Sequence, residues 1–397
     1  MSEALQAPLQ SNIPHPETPD FAQQPHPAVE RIYLLSDNHF NMGVTQADGQ
    51  TIGIGRQRLH SVEWGTPDTS DLDAMRLVRG YGGKLGPDAI TTILRAPEPD
   101  DPRQKRRTED WRAIWTPEGL VAGACDVREE HDIVSGLTKF IPSPAKWQSP
   151  SLDALMKGRV TITPFRSAEV DHSRRRISLD GKNFNPNKFP LDPRGRNSEV
   201  KYFHRLEGKE NSHTWLLLSE TSQGLRIDQR MSIPKVKWNE DKAGTGGPLI
   251  WLDQYNAICI NHGFTEAVNG VGYYYSIGWG WITVDPITGE CSMPHLDPQP
   301  LVTPDMLGKA AELYNIRRVS YTCGNIETRD PRHKELELIE ILVNRGDTET
   351  LVVEVDPTPM KTYIQEAQRM TRSSLAAGAL SLGSLRIPLL SSIQPAS

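Results

Sequence analysis

The chain has 397 residues, 37% of them hydrophobic, which allows one large domain or two ordinary ones around a substantial core. Its 44 Lys and Arg are interspersed with 50 Asp and Glu, a formal charge of −6, so no basic face marks it as a nucleic-acid partner. No apolar run reaches the roughly 18–20 residues that a membrane span needs, and no membrane partner is expected.

Residues 1–28 carry Pro8, Pro14, Pro16, Pro19, Pro25 and Pro27 among polar residues. Such a stretch buries too little apolar surface to offset its ordering entropy and is expected to be a disordered tail. It lacks the apolar core of a signal peptide, and the expected location is cytoplasmic. From 29 to 356, short β-prone runs alternate with turn residues. Arg31–Leu35, Ala74–Val78, Ile90–Leu94 and Trp111–Trp115 come first, then Arg159–Thr163, Val200–Arg205 and Thr214–Leu218. Pro248–Leu252, Tyr255–Ile260, Val271–Val284, Val319–Thr322, Leu338–Val343 and Thr350–Val355 follow. Helical periodicity is confined to Pro304–Tyr314, which Thr303 can cap, and to Pro357–Leu375. The remainder, to residue 397, reads as a flexible tail.

So many short strands predict an all-β fold larger than one sandwich. A five-bladed β-propeller fits, with roughly 65 residues for each four-stranded blade; a pair of sandwiches is the other arrangement. The four cysteines, Cys125, Cys259, Cys291 and Cys323, lie far apart without zinc spacing and read as buried thiols. No metal or cofactor is expected.

Polar groups recur at the strand openings. Arg56 follows the hairpin-like turn Asp48-Gly49 and, with Glu63, is placed to enter a central channel. Glu109 and Asp110 precede Trp111–Trp115, and adjacent strand residues point to opposite faces. Asp126 lies near the same blade, as a sugar ligand or a partner of Arg128. Arg196-Asn197-Ser198-Glu199 precedes Val200, with Asn197 and Glu199 sharing a face. Lys242-Ala243-Gly244-Thr245-Gly246-Gly247 precedes Pro248, and His262 ends the run from Tyr255. The aromatic group Tyr273, Tyr274, Tyr275, Trp279 and Trp281 is read mainly as blade packing.

In this order the motifs resemble the five-bladed propellers of glycoside hydrolase family 130, the mannoside phosphorylases and β-mannosidases, and an uncharacterised fructosidase-like sister family. Glu109-Asp110-Trp111-Arg112 is similar to the family's Glu-Asp-Pro-Arg at the second blade, with Trp111 in place of Pro. Arg196-Asn197 resembles the opening of the third blade, Lys242–Pro248 that of the fourth, and Val319–Gly324 that of the fifth. The resemblance implies a glycoside-active enzyme that cleaves its oligosaccharide or glycoside substrate by inverting hydrolysis or phosphorolysis. Inorganic phosphate is the co-substrate in the second case.

Asp110 is then the expected proton donor, and Glu199 a second carboxylate. Arg56, Glu109, Arg112, Asp126, Asn197 and His262 are expected to contact the sugar or phosphate. A non-catalytic carbohydrate-binding or scaffold propeller is the alternative.

Overall fold

The computed structural model describes residues 26–57, 71–93, 105–131, 136, 138–170, 175–179, 183–190, 199–206, 208–266, 273–307, 317–318, 320–345 and 349–381. Five sheets, mainly antiparallel, form a five-bladed β-propeller. The first blade runs outward through His39–Ala47, Gln50–Gln57, Asp71–Arg79 and Leu85–Ile93. The second runs through Lys105–Thr116, Gly119–His131, Thr138–Ser149 and Thr161–Pro164. The fourth opens on Lys242–Thr245 and Ile250–Trp251, which both pair with Asn256–Glu266. The fifth, Ser320–Arg329, Leu336–Arg345 and Glu349–Val355, is completed by the N-terminal strand Val29–Ser36. That closure joins the first and last described strands in one sheet and removes the ring's open seam.

The third blade departs from expectation. Its inner strand is Asn185–Lys188, and Val200–Arg205 is its second strand. Asn183-Phe184-Asn185-Pro186-Asn187 does not look like a strand, because Pro186 carries no N–H donor. An innermost strand has a free edge, where a missing donor costs little. Outside it, Ser167–Val170 pairs in parallel with Gly224–Ser232 and carries Arg175–Ser178 at its other edge.

The Asp48-Gly49 turn has both residues at positive φ, 49° and 74°, as a two-residue hairpin turn requires. Other expectations shift. His26 and Ala28, expected within the tail, are buried; residues 1–25 lie outside the described residues. Pro304–Leu307 is a single 3-10 turn, and the rest of that expected helix lies outside the described residues. Arg317–Arg318 pairs with Tyr273 and Tyr274 of the fourth blade rather than opening the fifth. Residues 357–397 form a second unit. Within it Thr358–Ser381 is helical, longer than expected, with Pro359 in the first turn where proline is tolerated.

The core is a set of layers between blades. Trp111, Ala113 and Trp147 of the second blade pack on Ile52, Ile54 and Ala74 of the first. Phe203, Trp215 and Met231 of the third pack on Ala257, Cys259 and Ile282 of the fourth. All four cysteines are buried thiols. Near the axis the inner strands meet backbone to backbone. A Cβ on Gly43 would lie 2.8 Å from the Trp111 carbonyl, and one on Gly324 would lie 2.9 Å from the Val44 amide nitrogen. Only glycine permits so close an approach of neighbouring inner strands. Among the described residues no helix is long and apolar enough to cross a membrane.

Candidate active site

The inner strand of the second blade is irregular where its acids stand. Glu109 lies opposite Cys125 and Arg112 opposite Gly123, so three steps on one strand match two on the other. The extra residue is a β-bulge, and Asp110 within it has φ 57°. Asp and Asn tolerate this left-handed conformation better than other side chains, at a cost that the surrounding structure must hold. A bulge re-aims the side chain it carries. The first blade repeats the device, with Asn41 at φ 54° between Phe40 and Gly43. Asn183, at φ 59°, stands just before the inner strand of the third blade.

Arg112 fixes this arrangement. Its Nε donates to Gly246 O at 2.7 Å and its Nη1 to Asp110 O at 2.8 Å. Its Nη2 donates to Thr245 O and to Asn183 Oδ1, both at 2.9 Å. The side chain is 1% exposed, so Arg112 is a strut joining the second, third and fourth blades. This corrects its expected role as a substrate ligand: its donors face protein acceptors, and they hold the Asp110 backbone.

His262 is also relocated. The strand continues to Glu266, so His262 sits within it, opposite Ile277, rather than at its end. Its ring is partly covered; Nδ1 is shut off from solvent and has no hydrogen-bond partner among the described residues. Burial, reinforced by the Arg112 and Arg205 guanidinium groups, holds its pKa well below the ordinary value, so the imidazole is neutral near neutral pH. On the neighbouring fifth blade Tyr321, its ring 6.4 Å from that of His262, donates to Asn41 Oδ1. Asn41 N donates to Asn344 Oδ1 at 2.7 Å. Every blade thus supplies one polar belt: Asn41, Asp110 with Arg112, Asn183 with Arg205, His262, and Tyr321.

The remaining expected residues divide. Glu109 is half-buried beside the bulge. Arg56 is 5% exposed with its guanidinium 4.8 Å from the Phe40 ring centroid, next to Asn41 in sequence. Asp126 is buried opposite Thr108, one strand out from the axis. Glu199 is exposed and lies 3.8 Å from Lys201 Nζ, a solvent ion pair apart from the belt. The reason is the displaced blade opening, which puts Glu199 before a second strand instead of an inner one. Asn197 and Glu63 lie outside the described residues. Trp111 offers no stacking face to a ligand: it is 0% exposed and meets Trp147 edge-on, ring centroids 4.8 Å apart. Tyr274 and Trp279 are buried, and Tyr275 packs on Phe264.

Sequence reasoning missed Asn41, Asn183, Arg205 and Tyr321. Asn183 had a signal, because Lys182-Asn183 is the same kind of basic-Asn pair as Arg196-Asn197, 14 residues earlier. A separate cavity of about 660 Å³ lies away from the belt, beside Arg76, Arg79 and Arg329. Those arginines already pair with Asp88, Glu340 and Glu327, which weakens any claim for an anion there.

The neutral His262 has a consequence for stability. Burial lowers the pKa values of His213 and His295 as well. Below about pH 6.5 the unfolded chain takes up protons that these folded histidines refuse. Folding stability is therefore expected to fall as pH drops, by up to about 1.4 kcal/mol per pH unit for one such group. Urea midpoints measured on either side of that pH check it, and His262→Gln should flatten the dependence. An unchanged slope in the variant would assign the effect elsewhere.

No protein-family model matches the sequence, and no curated protein matches it at a significant level. Solved structures do. A glycosyl hydrolase from Bacteroides ovatus superposes with a TM-score of 0.53 at 12% identity, over 82% of this chain and 86% of that one. Another belongs to work on the GH130 family of mannoside phosphorylases, which contains glycoside hydrolases that target β-1,2 mannosidic linkages in Candida mannan. It gives a TM-score of 0.51 at 14% identity, over 87% of this chain and 97% of that one. At such identities the likeness shows the fold.

Proposed function

We propose that the chain cleaves a glycosidic bond at this polar belt, with Asp110 as the proton donor. The observation that supports the reading is the strained bulge at Asp110, a half-buried residue of an innermost strand whose backbone carbonyl is held by Arg112. Glycoside cleavage needs a proton on the departing oxygen as the bond from C1 breaks. Asp110 supplies that proton, and Glu109 accepts a sugar hydroxyl beside it.

The attacking group in this proposal is inorganic phosphate. Water attack by inversion requires a second carboxylate about 6.5–9.5 Å from the acid. Glu199, the expected partner, is exposed and paired with Lys201. The belt instead holds Arg205 close enough to help depress the His262 pKa. Positive charge suits a phosphate whose oxygen bonds to C1 from the opposite face. The similar fold among mannoside phosphorylases makes β-mannosides the first substrates to test.

Turnover of a β-mannoside panel is expected to require phosphate and to yield a sugar 1-phosphate, read by ³¹P NMR. Cleavage at the same rate in phosphate-free buffer would make water the nucleophile. Absence of cleavage under both conditions across a broad glycoside panel would leave a non-catalytic sugar-binding propeller.

A further inference from the structure

We propose that the opposite mouth of the axial channel is a second sugar-binding site, seating one neutral pyranose ring. A cavity of about 270 Å³ opens there, with Gln46, Trp115, Lys188, Trp251, Asn325 and Glu327 among its lining residues. These come from all five blades, each at or beyond the far end of an inner strand. Asn41 meets Tyr321 in the belt, while Gln46 and Glu327 meet in the cavity. The inner strands therefore run side by side in one direction, and the two ends of the axis are distinct.

Trp115 lies five residues beyond Asp110, roughly 16 Å along the strand. A single pyranose ring seated at Trp115 is far shorter than that separation. A ligand in this cavity cannot reach the Asp110 carboxyl, so the site is independent of the catalytic proposal.

The chemistry of the cavity selects its occupant. Its floor is apolar, with Val44, Ala113 and Ile326 buried. Trp115 and Trp251 are partly exposed residues of its lining, and an indole stacks on the C–H side of a sugar ring. Around them stand an amide in Gln46, an ammonium in Lys188 and a carboxylate in Glu327. Glu327 pairs with Arg329, so its charge is already balanced, and the neutral amide of Gln46 suits a polyol hydroxyl. The volume lies just under the roughly 300 Å³ at which drug-sized pockets begin, as suits one ring rather than a chain.

The test titrates the full chain with methyl mannoside, methyl glucoside and methyl galactoside while recording tryptophan fluorescence. At least one sugar should give a saturable change in the wild type and in Asp110→Asn. Trp115→Ala should weaken that binding about tenfold or more. Gln46 and Lys188 are exposed, so Gln46→Ala and Lys188→Ala should keep the wild-type circular dichroism and still bind more weakly. The proposal is overturned if no sugar saturates. It is equally overturned if Asp110→Asn abolishes the change, or if both exposed-residue variants bind like wild type.

Discussion

Asp110→Asn is expected to lower kcat/KM for the cleaved glycoside by about 10³-fold, within the ~10²–10⁴ contributed by a positioned acid. Sugar affinity and folding should change little. The substitution removes the transferable proton but keeps size and hydrogen-bonding capacity. Asn also occupies the left-handed region as readily as Asp, so the bulge at φ 57° survives. Asp110→Ala is the informative companion. It removes the acid and also places a residue ill-suited to that φ, at a cost of about 1–2 kcal/mol. Steady-state kinetics on both variants, with urea denaturation alongside, separate the two effects. If Asp110→Asn retains wild-type turnover, the proton comes from elsewhere and the assignment fails.

Arg112→Met should destabilise the fold by about 3 kcal/mol or more, because each buried acceptor left unpaired costs ~1–3 kcal/mol. Gly246 O, Thr245 O, Asp110 O and Asn183 Oδ1 would all lose their donor. Against a typical total of roughly 5–15 kcal/mol this is a large fraction. Arg112→Lys should recover only part of it, since one ammonium cannot span acceptors arranged around a planar fork. Chemical denaturation measures both. A loss under about 0.5 kcal/mol, the size of an ordinary surface change, would mean that Arg112 is not the strut its hydrogen bonds describe. Because Arg112 also fixes the Asp110 carbonyl, Arg112→Lys should reduce turnover without altering its pH limbs, the mark of positioning rather than proton transfer.

Three site residues show how far a linear reading reaches. Asp110 was legible because its Glu-Asp pair opens a β-prone run, a pattern confined to a few neighbouring residues. Its bulge was not, because that depends on the register against Cys125 and Gly123 of the next strand. Arg112 was noticed, yet its role was misread: its acceptors Thr245 and Gly246 lie 133 and 134 residues away. Glu199 had the right chemistry in the wrong strand, since a Pro- and Asn-rich segment forms the inner edge of its blade.

The sequence by itself determined the all-β class, most strand positions, the Asp48-Gly49 hairpin turn and the openings of the second and fourth blades. Each follows from short-range properties: side-chain alternation, turn residues and the scarcity of helical spacing. Only the tertiary structure decided that the strand Val29–Ser36 closes the fifth blade. It alone brought Asn41, Asn183, His262 and Tyr321 to the level of Asp110, buried Arg112 and left Glu199 in solvent. Those outcomes depend on ring closure and on contacts between blades far apart in the chain, where burial and hydrogen-bond pairing override local pattern.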